Sequence, residues 1–363
     1  MQYHLLDYKQ LLRFCESIFE AYGFSKENAA EIADVVLTAD LNGIESHGVQ
    51  RMVRYSREIS SGMVDVNAKP EIVHESPVSA VIDAHNGMGQ VVGHYAMNLA
   101  IEKARKCGCA FVNVRNSNHY GIAGYYTEMA VKEDMMGISM TNTEAIMVPT
   151  HGKQPMIGTN PIALGMPADP YPFLFDCATT VVPRGKFEVY TKRGDPVPVG
   201  WGVDENGHDS TDSARILANI ISKVGGGILP LGGSSEKLGG HKGYGFGVIC
   251  ELFTGILSGG VTADRIYKTG SGSGICQDYI AVDYGIFGDK ASIRAEFSEY
   301  LRKLRDSEKA EGQDRILTHG QKEYESRIVR REKGIPANDK TIAELKAIAE
   351  SLGSGVAPFP QEV

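Results

Sequence analysis

The sequence lacks several features that mark common classes of protein. Its six cysteines, at positions 15, 107, 109, 177, 250 and 276, include no C-x-x-C pair, and a chain of 363 residues needs no disulfide framework. We therefore expect free thiols in a reducing compartment. The longest apolar stretch, 245–261, contains Glu251 and many glycines, so it does not predict a membrane span. The first ten residues carry charges where a signal peptide would be apolar, and we expect a cytoplasmic protein.

Positive charge and metal-binding motifs are scarce as well. The net charge is −8, the pI is near 5.7 and no basic tract is present, which argues against a nucleic-acid partner. No G-x-S-x-G motif favours a serine hydrolase, and neither H-E-x-x-H nor a spaced Cys/His cluster predicts a metal site. What remains is an ordinary globular composition, 42% hydrophobic and 23% charged, in a chain long enough for two domains.

Apolar periodicity divides the chain into helical ends and a strand-rich middle. The first 62 residues show helical spacing and no strand pattern, with Ser25 as one helix cap, and helical spacing returns from about residue 288. Between them we predict short strands, helices over 90–106, 183–192 and 246–258 (the last one buried), and a loop over 193–213. The strands are expected at 78–83, 110–114, 137–141, 162–166, 172–176 and 279–282. This order indicates an α/β fold, with a mixed-sheet domain over 76–287 and a helical domain built from 1–75 and 288–363.

The stretch from Ser46 to Tyr55 carries the most suggestive chemistry. Ser46 is a good N-cap, and the apolar residues that follow recur at helical spacing, which would place His47, Arg51 and Tyr55 on the opposite face. A proton-transfer group, a fork for a carboxylate and a phenol are what a 2-hydroxy acid requires. The alternative is a helix with a solvated polar face, which is the commoner origin of such a stripe.

A second histidine follows a predicted strand. Residues 116–121 (NSNHYG) lie between a strand and a helix, where side chains can point into a cleft. His119 among small polar residues suits an orienting or proton-relaying imidazole, although a structural histidine is the alternative.

The glycines at 87, 89 and 93 imitate a dinucleotide-binding motif. Their spacing, G-x-G-x-x-x-G, is one residue off the usual fingerprint, and Arg115 stands where an acidic residue would hold a ribose. We interpret the glycines as a tight turn. The alternative is a dinucleotide site with Arg115 on a 2′-phosphate.

Other segments suit a bound cofactor better. Three strand ends carry small hydrogen-bonding residues suited to a ribose and a nicotinamide amide, among them Asn142, Thr159 and Asn160. The segment 239–247, which contains Lys242 and Gly243, leads into a helix and offers backbone N–H groups to a phosphate. Close packing of a glycine-rich helix is the alternative reading of that segment.

Taken together, these stretches resemble a known family. It is the malate/L-lactate dehydrogenase family that is unrelated to the Rossmann-fold enzymes, and its relatives act on ureidoglycolate, diketogulonate, sulfolactate and cyclic imino acids. The resemblance covers nearly the whole chain and is carried by residues 40–55, 116–121, 158–161, 176–181, 240–245 and 315–321. Two segments, 122–126 and 141–144, are most similar to the branch that acts on malate or sulfolactate.

The resemblance implies a homodimer and a non-Rossmann NAD(P)-binding fold with a mixed sheet. The cofactor would be NAD, with NADP as the alternative. His47 and His119 match the active-site histidines, and Ser46, Arg51 and Tyr55 match positions near the substrate. The cofactor-contacting segments match Asp176, Cys177, Ala178, Thr179, Thr180, His241, Lys242, His319, Gly320 and Gln321. The family usually has Pro-Gly-Glu at 319–321, so the missing carboxylate leaves the choice between NAD and NADP open.

The predicted reaction is hydride transfer between a nicotinamide and C2 of a small 2-hydroxy or 2-oxo acid, with malate and oxaloacetate expected first. Arg51 would hold the carboxylate while a histidine takes the hydroxyl proton. The sequence leaves open whether that histidine is His47 or His119. The alternatives are a sulfolactate, lactate or ureidoglycolate dehydrogenase, a cyclic imino acid reductase, and a non-catalytic ligand-binding protein.

Overall fold

The computed structural model describes residues 2–268, 270 and 272–363. Its helices are α1 (Tyr8–Ala21), α2 (Lys26–Leu41), α3 (Met52–Ser60), α4 (Gly89–Cys107), α5 (Ala123–Lys132), α6 (Arg184–Arg193), α7 (Ser213–Ser222), α8 (Gly240–Glu251), α9 (Lys290–Asp306), α10 (Gln321–Lys333) and α11 (Asp339–Leu352). Its strands are β1 (Tyr3–Leu6), β2 (Glu71–Ser76), β3 (Ser79–Asp83), β4 (Cys109–Ser117), β5 (Met136–Thr141), β6 (Ile162–Met166), β7 (Phe173–Cys177), β8 (Gly202–Val203), β9 (Gly227–Ile228), β10 (Ile275–Val282) and β11 (Ile335–Asn338).

A seven-stranded mixed sheet forms the middle of the molecule, in the order β2-β3-β4-β10-β5-β6-β7. Strands β3 and β4, which α4 connects along the chain, pair in parallel. All other neighbouring strands of the sheet pair antiparallel. Strand β10 lies between β4 and β5, so that Asp278 stands opposite Asn113 on one side and Met140 on the other. The predicted α/β fold with a mixed sheet is confirmed. Strand β2 was not predicted, because most of its residues are exposed at the sheet edge and give no buried alternation.

The two ends of the chain build one helical layer. Strand β1 pairs antiparallel with β11, and α11 packs on α1 and α3. The layer buries side chains that include Leu11, Phe14, Ile32 and Leu345 in a common core. The expectation of no strand in the first 62 residues is wrong, because β1 has four residues and needs its distant partner to form. The proposed domain limits, 1–75 with 288–363 and 76–287, stay a prediction.

The glycine-rich segment before the predicted helix 246–258 is itself helical. Helix α8 begins at Gly240 and continues into a π-helical turn over Leu252–Ile256. Glycine allows this because a Cβ on Gly240 would lie 2.1 Å from the oxygen of Gly233, and one on Gly243 would lie 2.3 Å from that of Leu231. The expected burial of this helix is wrong in this chain. One face exposes the apolar side chains of Phe246, Val248, Ile249, Leu252 and Ile256.

The segment 183–230 forms a small lobe with its own core. Helices α6 and α7 pack together over Phe187, Ile216 and Ile220, and β8 pairs with β9 beneath them. The predicted loop over 193–213 therefore contains a short strand.

Helix α9 contacts the turn between β6 and β7, where Arg294 pairs with Asp169 at 2.8 Å. No helix in the described part of the chain is both long and apolar enough to cross a membrane.

Candidate active site

The segment 45–60 enters its helix later than the sequence indicated. Two short 3-10 turns, Glu45–His47 and Val49–Arg51, precede α3. The predicted N-cap Ser46 is wrong, because the capping group is Asp40 at the end of α2, whose carboxylate accepts a hydrogen bond from the Val49 N–H at 2.8 Å. A Cβ on Gly48 would lie 1.9 Å from that carboxylate, so this turn requires glycine. Burial raises the pKa of Asp40 to about 8.

The two predicted histidines lie together. The imidazole rings of His47 and His119 stack with their centroids 5.6 Å apart and an interplanar angle of 21°. The hydroxyl of Tyr55 lies 2.9 Å from Nδ1 of His119, and the hydroxyl of Ser46 lies 2.9 Å from Nδ1 of His47. Tyr55 differs from its expected place on an open polar face, because its side chain is fully buried in the core of the helical layer. Its hydroxyl contacts His119 from the side of this core.

Two arginines give the site a positive charge. Arg54 pairs with Glu58 at 2.7 Å and donates to the Tyr267 hydroxyl. Nε of Arg51 donates to the carbonyl of Ser46, and within the described residues no carboxylate lies within ion-pair distance of its guanidinium. Arg51 is therefore a partly buried cation whose remaining N–H groups are available to an anionic ligand. Arg54 was not predicted as a site residue. Its position three residues after Arg51 could have indicated it, because residues at this spacing are neighbours on a helix.

This environment keeps both histidines neutral. Burial, with the charges of Arg51 and Arg54 added, lowers the pKa of His47 to about 3. Burial also lowers the pKa of His119 well below its ordinary value, assisted by Arg54, His47 and Arg51. The pKa of Tyr55 rises to about 12 through burial, so its phenol keeps its proton. The site at neutral pH therefore combines two neutral imidazoles with positive charge.

The start of α4 holds the loop that carries His119. A Cβ on Gly89 would lie 2.3 Å from the Asn118 oxygen and 2.5 Å from the His119 oxygen, so only glycine permits this approach. Arg115 is half-buried and pairs with Asp83 at 3.0 Å, so its guanidinium already has an acidic partner within the protein. These contacts agree with the interpretation of the 87–93 glycines as structural.

The strand ends predicted to bind cofactor form one hydrogen-bonded group. The buried amide of Asn160 donates to Glu251 at 2.7 Å, and that of Asn142 donates to the same carboxylate and to the carbonyl of Val261. The Thr159 N–H donates to Thr143, and the Thr179 N–H donates to the Thr159 carbonyl. The side chains of the two asparagines are therefore used internally. Glu251 was not singled out by the sequence because its partners are distant along the chain.

The segment after β7 lies beside the start of α5. A carboxylate oxygen of Asp176 accepts a hydrogen bond from the Gly124 N–H at 2.7 Å, and Cys177 and Ala178 follow it at the end of the strand. The Thr180 hydroxyl donates to the Val182 carbonyl at 3.0 Å. The predicted residues 176–180 therefore comprise the last two residues of β7 and the first three of the connection to α6, where Thr180 forms a bridge with Pro230.

The remaining predicted cofactor residues lie at two further places. His241 and Lys242 are exposed on the first turn of α8, and an open cavity there is lined by Gly232, Gly239, Lys242, Gly243 and Phe246. His319 lies edge-on against Phe173 and Phe175 of β7, with ring centroids 5.5 and 5.3 Å apart. Gly320 has a φ of +92°, and Gln321 donates to Glu325 at 2.9 Å.

The chain is similar to several known dehydrogenases. It is 43% identical over 345 residues to a malate dehydrogenase of Pyrococcus abyssi, which covers 95% of this chain and 94% of the relative. The crystal structure of malate dehydrogenase from Entamoeba histolytica has a TM-score of 0.94 at 35% identity, covering 99% of this chain and 100% of that one. Sulfolactate dehydrogenase from Methanocaldococcus jannaschii has a TM-score of 0.86 at 35% identity, covering 96% and 97%.

These similarities identify the class of protein and its family. The relatives are hydroxy acid dehydrogenases, so the chain is an oxidoreductase that acts on a small hydroxy acid. More narrowly, the model of the family described as malate/L-lactate dehydrogenase matches residues 6–346, and the chain belongs to that family. The resemblance seen in the sequence is confirmed, including its likeness to the malate and sulfolactate branch. Membership implies a nicotinamide cofactor.

Proposed function

We propose that the protein is an NAD(P)-dependent malate dehydrogenase, which exchanges a hydride between C2 of malate or oxaloacetate and the nicotinamide. The observation that carries this proposal is the guanidinium of Arg51, partly buried beside two neutral histidines and without an acidic partner in the described residues. A cation in that position suits a substrate carboxylate. The malate dehydrogenases among the relatives support the choice of substrate.

Substrate binding would prepare the site for proton transfer. The positive charge of Arg51 helps to hold the pKa of His47 near 3, which makes the free imidazole a poor base. A carboxylate paired with Arg51 offsets that charge, so the pKa of His47 rises toward the range useful at neutral pH. The histidine pair then takes the hydroxyl proton as C2 is oxidised, and Ser46 orients the imidazole of His47 through their 2.9 Å contact.

Residues around the sheet edge and α8 fit a dinucleotide. The first turn of α8 requires glycine at 240 and 243, where a Cβ would collide with the loop at 231–233, and it presents Lys242 beside an open cavity. We assign the phosphates to His241, Lys242 and Gly243, and the remaining contacts to Asn142, Thr159, Asn160, Asp176, Cys177, Ala178, Thr179, Thr180, His319, Gly320 and Gln321. The amides of Asn142 and Asn160 are occupied, so these two would contribute backbone groups. When bound, the nicotinamide would accept or return the hydride. We expect NAD, with NADP as the alternative.

A substrate panel tests the proposed function. The purified protein is assayed with malate, sulfolactate, lactate and ureidoglycolate, and in reverse with 2-oxo acids and cyclic imines, each with both cofactors. We expect the highest kcat/KM with malate or oxaloacetate, and much lower turnover in His47→Ala and His119→Ala. Wild-type turnover in both variants would refute the site, and binding of cofactor without any turnover would indicate a ligand-binding protein. Sulfolactate is the second candidate, because relatives in sequence and structure act on it.

The exposed face of α8 supports a homodimer. Large apolar side chains on one helix are costly to leave in water, and a second copy of this face would cover them. We expect Ile249→Glu to convert a dimer into a monomer in light scattering coupled to size exclusion. Val73→Glu, at a similarly exposed position on β2, is the control that should keep the dimer mass. A monomeric wild-type protein would contradict this assignment.

A further inference from the structure

Tyr55 contacts His119 and is closed off from the cleft. Its side chain has no accessible surface, and it packs among apolar residues of the helical layer. Its hydroxyl lies 2.9 Å from Nδ1 of His119. A hydroxyl that is buried and already hydrogen-bonded is poorly placed to bind substrate, so its effect on the reaction would pass through His119.

The contacts of His119 determine which of its ring nitrogens carries the proton. The Gly121 backbone N–H also points at Nδ1, at 3.3 Å. A backbone N–H can only donate, so we assign the lone pair to Nδ1, where the Tyr55 phenol is then a second donor that shares it. The proton of a neutral His119 therefore resides on Nε2. In that tautomer Nε2 of His119 is a hydrogen-bond donor, and it has no lone pair with which to take a proton.

His47 is under no such restriction. The partner of its Nδ1 is the hydroxyl of Ser46, which can either donate or accept. When Ser46 accepts from Nδ1–H, the Nε2 atom of His47 carries a lone pair. Of the two stacked imidazoles, His47 is thus the one able to act as a base.

We propose that Tyr55 is a positioning residue which, with the Gly121 N–H, fixes His119 as the Nε2–H tautomer, so that His119 donates to the substrate oxygen and His47 takes the hydroxyl proton. This division of roles rests on the proposed function. In the oxidation, the O–H proton passes to Nε2 of His47 and a C=O bond forms, and a bound nicotinamide would accept the C2 hydrogen with its electron pair as hydride. In the reverse direction the protonated His47 returns the proton while His119 polarises the carbonyl.

Amide substitutions separate the two roles. In His119→Gln the side-chain NH₂ can occupy the place of Nε2–H, whereas in His119→Asn it lies nearer the place of Nδ1. We expect His119→Gln to keep kcat within about tenfold of wild type. His47→Gln should lose about 100-fold or more, the usual contribution of a proton-transfer group. His119→Asn should lose about 100-fold as well, because a donor to the substrate oxygen is missing. The proposal is refuted if His119→Gln loses as much activity as His47→Gln.

The tautomer is measured directly by ¹⁵N NMR of the histidine-labelled full chain. We expect Nε2–H for His119 in wild type and a mixture in Tyr55→Phe, with kcat about tenfold lower and KM for the hydroxy acid unchanged. The groups that face His119 are Tyr55, His47, Arg51 and Arg54, so the pH dependence is recorded in each variant. Tyr284→Phe is the matched control, because it removes the hydroxyl of another buried tyrosine, one that is bonded to Asp134. We expect it to change neither the tautomer of His119 nor kcat.

The outcomes distinguish this proposal from the proposed function. If KM rises in Tyr55→Phe while kcat and the tautomer stay as in wild type, then Tyr55 binds substrate and the proposal is wrong. A wild-type protein inactive on the whole panel would overturn the proposed function, and the NMR measurement would still decide the tautomer of His119.

Discussion

Replacement of Arg51 by glutamine tests both roles assigned to that residue. The change removes the guanidinium that we place against the substrate carboxylate and leaves the neighbouring ion pair of Arg54 and Glu58 in place. A charged hydrogen bond contributes about 1.5–3 kcal/mol, and a tenfold change in binding corresponds to about 1.4 kcal/mol. We therefore expect the KM for the hydroxy acid to rise by about 10- to 150-fold.

The same substitution should change the pH dependence. Burial and then Arg51 lower the pKa of His47 to about 3. Without the positive charge of Arg51 that pKa moves back toward its ordinary value of 6.5. A base must be unprotonated to act, so kcat/KM for oxidation decreases as the pH falls through this pKa. The acid limb of the profile should therefore lie at higher pH in Arg51→Gln than in wild type.

The assay follows reduced-cofactor absorbance over a range of about pH 4 to 9, from which kcat/KM is obtained for the free enzyme. Arg57→Gln is the matched control, because Arg57 is exposed on α3 six residues after Arg51, and neither the KM nor the acid limb of this variant should change. An unchanged KM in Arg51→Gln would refute the assignment of the carboxylate. An acid limb that stayed in place would refute the electrostatic coupling of Arg51 to His47.

Three further predictions follow from the packing and charges. Gly89→Ala places a Cβ 2.3 Å from the Asn118 oxygen and should cost about 1–3 kcal/mol in urea unfolding, whereas Gly185→Ala, in open space on α6, should be neutral or stabilise by up to about 1 kcal/mol. Lys242→Ala should raise the cofactor KM about tenfold at low salt and less at high salt, because a point charge near a phosphate is lost. The pKa of His47 is lower in the folded state than its ordinary 6.5, so stability is full above that pH and is lost as the pH falls toward 3. The urea midpoint of wild type should therefore drop between about pH 7 and 5, and it should drop less in His47→Gln.

The fold could be predicted where the pattern of apolar residues is local. Strand β6 occupies the predicted 162–166, because the burial of its side chains depends on a local pattern of apolar residues. Strand β1 could not be predicted, since its four residues are stabilised only by β11. Helix α8 was misplaced at its start because glycine has low helix propensity, and the contacts that stabilise its first turn come from residues 231–233.

For the candidate site, the sequence allowed the residue types and their chemistry to be predicted. It did not allow the contacts between distant segments to be predicted. His47, Arg51 and His119 were proposed from residue type and resemblance, and the structure places the two imidazoles against each other. The sequence had no means of showing that Tyr55 is buried beneath His119, because that contact joins two elements distant in the chain. For the same reason the carboxylate of Glu251, which holds both Asn142 and Asn160, gave no signal.

The place of β10 in the middle of the sheet determines when the chain can finish folding. Strands β4 and β5 are synthesised more than a hundred residues before β10, which must pair with both of them. Until β10 leaves the ribosome, each of these strands presents an open edge to other chains. Strand β1 stays unpaired for longer, because its partner β11 is synthesised near the end of the chain. The nascent chain therefore carries unpaired strands through most of its synthesis, and we expect its yield on rapid overproduction to depend on the supply of chaperones.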